Sequence, residues 1–261
     1  MGYTIKAPML DQDTPPGQPG SEPPISDKGG ADGCTATICA QFAANVVAAG
    51  LGWGVVGDEG LARVPSPTNS GMKVHLIWSD RAEANRWASS LVTNPRLRKI
   101  TLHEMTTELL PKLSVMGRSL GPDWSTEPGE PEILPGELDV LIRKASVARF
   151  CETATRARAV WVLRHAEGPA CLPSTLISTG DMLPVWSERA EAEAHIKGAL
   201  AGTSVVRVAL PDFLQRVLIW CVETRRRVAP GYLAGPGVIE LAAWDVKAML
   251  NGHAASEPAV A

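Results

Sequence analysis

The chain has 261 residues, 45% of them hydrophobic and 20% charged, with a formal net charge of −3 and an isoelectric point near 6.0. That is enough apolar material for two modest cores, and so weak a field excludes nonspecific binding to nucleic acid. Cys34, Cys39, Cys151, Cys171 and Cys221 form no small secreted framework, so they read as reduced thiols of a cytoplasmic protein, with Cys221 as core filler.

Residues 1–36 are rich in Pro, Gly and Asp without apolar periodicity, which predicts a disordered N-terminal arm. The remainder of the chain is organised by a repetition. "IWSDRAEANRW" from Ile77 returns as "VWSERAEAEAH" from Val185, with Trp78 and Trp186 standing 108 positions apart. The same offset pairs Trp53 with Trp161, Gly60 with Gly168, Ser66 with Ser174 and Leu110 with Leu218, gaplessly from Phe42/Phe150 to Leu113/Cys221. Farther on, "PGELDVLI" matches "LAAWDVKA" at an offset of 106, which implies a loop two residues shorter in the second copy. The chain therefore reads as a tandem duplication, with repeats over 37–143 and 144–250 and a flexible tail over 251–261.

Cys34 to Val56 carries no charge and is long enough for a membrane helix. Its counterpart carries Arg149, Glu152, Arg156 and Arg158, which a lipid-facing helix would not accept, so a small-residue helix around Phe42 and a strand through Trp53 are expected instead. A hairpin comes after them, turning at Glu59-Gly60 or Glu167-Gly168. Next is a strand ending in the shared tryptophan, "KVHLIW" or "MLPVW", with Ser79 or Ser187 placed to cap a helix. That helix shows an apolar face at Ala84, Trp87, Ala88 and Leu91, or at Ala192, Ile196, Ala199 and Leu200. A short strand, "RKITL" or "VRVAL", leads to a second amphipathic helix with Met105, Leu109, Leu110 and Leu113, or Phe213, Val217, Leu218 and Cys221, inward. Further extended stretches and a short closing helix complete each unit. The pattern predicts an α+β fold, two tandem copies of a small, mainly antiparallel sheet with packed helices. No Pro or Gly lies between Glu137 and Ala166, and an apolar three-and-four rhythm crosses the junction, so one nearly continuous helix should join the copies.

The succession "VWVL", "LPVW" into an Ala-rich helix, and "ALPDFL" in the second copy resembles the small bacterial proteins of domain of unknown function 2750. "LLPKL" and "ILPGELDVLI" in the first copy are similar to that family too. Ser79 and Ser187 stand where members usually have Pro. The resemblance spans about 105 residues twice and implies a fold; it brings no catalytic residues.

Duplication offers a test for chemistry. The histidines do not recur: His75 faces Leu183, His103 faces Pro211, His165 faces Gly57 and His195 faces Trp87. The polar residues that do recur are mostly turn and helix-start types. The cluster Arg81 and Glu83, repeated as Arg189 and Glu191, offers an acid, a base and an anion clamp in principle, but reads first as a charged helix start. Ser66 and Ser174 lack the glycines of a nucleophile elbow and any shared histidine. No metal-ligand spacing recurs, Arg225 to Arg227 suit a helix end, and no cofactor is expected. Trp78 and Trp186 read as core plugs between strand and helix or, alternatively, as the rim of a recognition pocket. The candidate recognition or structural set is thus Trp78, Arg81, Glu83, Trp186, Arg189 and Glu191.

Two functional classes remain. The first is a non-catalytic protein-binding module in the cytoplasm, such as an adaptor or an immunity-type toxin inhibitor, whose partner is another protein rather than nucleic acid or membrane. The alternative is an enzyme or small-ligand-binding protein with its site between the repeats. A deep cleft at Glu59, Arg81 or their twins would favour the alternative; a broad exposed patch unique to one copy would favour the binder.

Overall fold

The computed structural model describes residues 29–125 and 130–256. The chain opens with α1 (Gly29–Ala49), whose alanines favour helix and which stops at Gly50 in the left-handed region (φ +70°). Then come β1 (Leu51–Gly57), β2 (Gly60–Leu61), β3 (Arg63–Pro65), β4 (Lys73–Trp78), α2 (Arg81–Leu91) and β5 (Arg96–Thr101). A helical run is next: α3 (Leu102–Glu104), a π-helical stretch (Met105–Leu109) and α4 (Leu110–Val115); then β6 (Ser119–Pro122) and α5 (Pro135–Ala157). The second repeat retraces this order: β7 (Ala159–His165), β8 (Gly168–Pro169), β9 (Leu172–Pro173), β10 (Asp181–Trp186), α6 (Arg189–Ala194), β11 (Ser204–Ala209), α7 (Leu210–Asp212), a π stretch (Phe213–Val217), α8 (Leu218–Glu223), β12 (Arg227–Pro230) and α9 (Ala243–Ser256).

Each repeat builds one sheet. In the first, β1 is flanked by β5 on one edge and β4 on the other, with Trp53 opposite Trp78. β4 then pairs with β6 in parallel, while β2 and β3 extend the β1 and β4 edges as short antiparallel hairpin arms. The second sheet has the same order, β11-β7-β10-β12, again with Trp161 opposite Trp186 and a parallel β10–β12 pair. The fold is α+β with mostly antiparallel strands, as the sequence implied.

Alternation of side chains along the strands divides the core into two layers. On one face of the first sheet α1, the π stretch, α4 and the start of α5 cover Ile77 and Ile100 with Phe42, Met105, Leu110, Leu138 and Ile142. On the other, α2 covers Val74, Leu76 and Trp78 with Ala84 and Ala88. The second repeat repeats both layers, with Phe150, Phe213, Leu218, Val246 and Leu250 in one and Trp186, Leu163 and Ala192 in the other. Each fully buried phenylalanine stabilises by about 2 kcal/mol.

The junction is one continuous helix. α5 runs 23 residues without a break; its first half completes the first core through Leu138 and Ile142, and its second half opens the second core through Phe150 and Ala154. The second repeat's loop after β12 then reaches back. Arg143, 3% exposed, forms an ion pair with Asp139 (2.7 Å) and donates to the carbonyls of Leu233 (2.6 Å) and Ala234 (3.3 Å), while Thr106 Oγ1 donates to Ala234 O (2.9 Å). Ser146 Oγ donates to Gly231 O (2.8 Å). At Gly231 (φ +60°) an added Cβ would lie 2.5 Å from Ser146 O, so only glycine lets the loop approach α5 this closely.

Several expectations need correction. The 106 offset does not hold: β6 and β12, the Leu120↔Ile133 and Val228↔Leu241 bridges, and the starts of α5 and α9 all keep the 108 register, so Leu138 matches the buried Val246 rather than Trp244. The anticipated arm overlaps α1, which begins at Gly29; residues 1–28 lie outside the described residues. α9 continues through the supposed tail to Ser256, and 257–261 lie outside the described residues. The helix drawn through Ala192, Ile196 and Ala199 stops at Ala194 with His195 as its C-cap, and Gly198, at a left-handed φ of +56°, opens a separate short 3-10 turn at Gly198–Leu200. The caps fall one residue later than Ser79 and Ser187: Asp80 accepts from the N–H groups of Ala82 (2.7 Å) and Glu83 (3.0 Å).

Among the described residues no helix is long and apolar enough to cross a membrane. Cys39, Cys151, Cys171 and Cys221 are free, and burial pushes the Cys221 thiol up to about 12 and that of Cys151 to about 11. Cys221 sits in the second core with no exposed surface, the place of Leu113 in the first.

Candidate functional site at the junction of the repeats

The shared phrase places the same plug in both copies. Trp78 and Trp186 are each 1% exposed. Trp78 Nε1 donates to Trp124 O (2.9 Å) and Trp186 Nε1 to Tyr232 O (3.1 Å), so each indole is satisfied by the loop following the parallel edge strand.

Around that common frame the copies part. In the first, Asp123 holds the turn before α2, accepting from Ser79 N (2.6 Å) and Ser79 Oγ (2.8 Å). Gly231 occupies the matching place in the second, and Glu191 reaches back from α6 instead, accepting from Glu188 N and Ser187 Oγ, both at 3.3 Å. Trp87 gives way to His195, Trp124 to Tyr232 and Gln41 to Arg149. These smaller or more polar side chains border a cavity of about 350 Å³, closed on the other side by the end of α1 (47–50) and by Leu102 and His103 of the first repeat.

The wall is aromatic on one side. His195 lies 5.2 Å from Trp186 and 5.3 Å from Tyr232 between ring centroids, and His103 faces it across the junction at 6.4 Å. His195 Nδ1 is 2.8 Å from Glu191 O, and His103 Nδ1 is buried without a hydrogen-bond partner. Opposite, Arg149 pairs with Glu188 (2.6 Å) and lies 3.8 Å from Glu191.

Burial governs the titration of these groups. It lowers both imidazoles below the ordinary 6.5, helped by the nearby Lys197, so both are neutral at pH 7. It raises the Glu191 carboxyl, with the Glu188 charge adding to the shift and Arg149 opposing it. The Tyr232 phenol is raised by burial as well. Among the described residues no group of three or more metal-ligating side chains assembles.

Of the six residues singled out from the sequence, Trp186 and Glu191 border this cavity. Trp78 is buried in the first core; Arg81 lies over the Trp53 ring, its guanidinium 5.4 Å from the centroid; Glu83 pairs with Arg86 (3.3 Å) and Arg189 with Glu193 (2.7 Å) on the surface. Sequence reasoning missed Arg149, His103, His195 and Tyr232 because it favours residues that recur, and these are the ones that do not. Their signal was available as a cluster of non-matching positions around a matching tryptophan. Ser66 and Ser174 close equivalent turns, donating to Glu132 (2.7 Å) and Glu240 (2.5 Å) and accepting backbone N–H groups, as turn chemistry requires.

No curated protein matches the chain. Among solved structures, Anabaena Tic22 (protein transport) aligns over 73% of this chain and 92% of its own, at 10% identity and a TM-score of 0.22, too low to carry an argument. The model of the family described as protein of unknown function (DUF2750) matches twice, at 39–142 and 147–250, in the same register as the two sheets. The chain therefore belongs to the DUF2750 family and carries two of its units in tandem.

Proposed function

We propose that the chain is a non-catalytic protein-binding module whose second repeat presents the recognition surface. The observation that carries this is a one-way contact. In the first repeat the α4–α5 face, with Pro111, Ser114 and Gly136, borders a groove of about 280 Å³ that also includes Pro236 and Gly237 from the second repeat's loop. The equivalent positions on α8 and α9 are Ile219, Val222 and Trp244, exposed by 47%, 48% and 64%. Three residues that border the groove have been replaced by three large apolar ones exposed to solvent. Exposed apolar side chains grouped in this way mark interaction sites, and an exposed Trp suits the anchor of an interface. The occupant is a folded protein offering an apolar pocket for Trp244, as an adaptor or an immunity-type inhibitor would engage.

The test is a selection of folded binding domains from a displayed library against the full chain. Binders should dominate that lose affinity at least about tenfold on Trp244→Ser or Ile219→Ser, while the melting temperature of the chain stays put. Selected binders indifferent to both substitutions would sink the reading, as would concentration-dependent self-association abolished by Trp244→Ser, which would make the face a dimer contact.

A further inference from the structure

We propose that the cavity between the repeats binds a small organic cation, an amine carrying an aromatic or apolar ring. This site is separate from the α8–α9 face and does not depend on it.

The cavity is built by both copies. The first repeat supplies the end of α1 and His103; the second supplies Arg149, Glu188, Glu191, His195 and Tyr232. It opens where the second copy has smaller side chains than the first, His195 for Trp87 and Tyr232 for Trp124. Its volume of about 350 Å³ lies at the small end of the range for metabolite sites.

Its electrostatics select the sign of the ligand. Two carboxylates, Glu188 and Glu191, face one guanidinium, Arg149, which is already committed to them at 2.6 and 3.8 Å. The two imidazoles are neutral, and α1 directs its C-terminal, partially negative end at the cavity. With Lys197 and Glu108, which also act on the imidazoles, three carboxylates stand against two cations; burial, then the Glu188 charge, raises the Glu191 carboxyl. A bound ammonium would balance that excess, with Glu191 Oε1 as acceptor. Tyr232 and His195 then stand as the wall against which a ring stacks or a cation rests.

The test uses the full chain and three probes of one shape: 2-phenylethylamine, 3-phenylpropionate and phenylalanine, titrated calorimetrically to millimolar concentration. The amine should bind, phenylalanine more weakly, and the carboxylate not at all. Glu191→Gln, which keeps an acceptor for the Glu188 N–H, should weaken the amine by about tenfold or more. His195→Trp restores the first repeat's residue, fills the cavity, and should abolish binding while circular dichroism stays unchanged. Trp244→Ser should leave amine binding intact. Absence of amine binding, equal or tighter binding of the carboxylate, or full retention of binding in whichever of Glu191→Gln and His195→Trp remains folded would overturn the proposal.

Discussion

The two repeats have the same sheet order, the same π stretch and the same indole-to-carbonyl bond, yet they meet their surroundings differently. The first repeat is the receiver: its α4–α5 face accepts the loop of the second, and its Asp123 secures the turn before α2 internally. The second repeat is the donor: Gly231 frees that loop to lie against α5, Glu191 takes over the turn, and Ile219, Val222 and Trp244 stand exposed where the first repeat has Pro111, Ser114 and Gly136. A fixed backbone frame tolerates this because the frame is held by core positions, while the differences fall on loops and helix starts.

The comparison can be broken most severely at the clamp. Arg143→Ala leaves Asp139 and the Leu233 carbonyl without their donor in a buried junction, and should cost about 3 kcal/mol, read as a lower midpoint in chemical denaturation. A midpoint unchanged within error would show that the helix alone joins the copies. Gly231→Asp installs the first repeat's residue at a left-handed φ against Ser146 O, and a loss of roughly 2 kcal/mol is expected. If this variant is as stable as the parent, the two loops are interchangeable and the donor–receiver distinction fails.

The opposite exchange should stabilise. His75 is 8% exposed and neither ring nitrogen has a hydrogen-bond partner, whereas Leu183 fills the equivalent place in the second core. His75→Leu should gain about 1 kcal/mol at neutral pH by removing unsatisfied polar atoms. Burial, then the charges of Arg63 and Arg118, lowers the folded-state imidazole below 6.5. The unfolded state therefore takes up the proton first, and the parent loses stability as pH falls below 6.5 toward the folded value. The gap between parent and variant should widen over that window; a constant gap from pH 7.5 to 5.5 would contradict the assignment. The smallest effect belongs to Arg189→Ala, which removes an exposed pair with Glu193 and should change the midpoint by less than about 0.5 kcal/mol. A larger change would place this shared arginine in a role the geometry does not give it.

Much of the frame was legible because periodicity and duplication report the same physical fact, the inward-facing positions. The strands through Trp53 and Trp78, the π-interrupted helix behind Met105 and the junction helix all emerge from apolar spacing that one copy supplies where the other is ambiguous. The failures have local causes. The 106 offset arose because "LDV" and "WDV" look alike, although burial aligns Leu138 with Val246. The cavity was hidden because its walls are distant in sequence and meet only in the folded chain, and because the residues that open it are those the duplication did not preserve. The exposed Trp244 was absorbed into that same false alignment, which gave it the place of a core leucine.

The π stretches carry a consequence about ancestry. Met105–Leu109 and Phe213–Val217 lie at the same place in the two units. Two separate origins at one position are less economical than inheritance, so the irregular helix was already present in the single unit before the gene doubled. Any one-unit relative should therefore show the wide turn and the indole-to-carbonyl bond when its structure is solved. It should lack the cavity, since half of that wall belongs to a neighbour it never acquired.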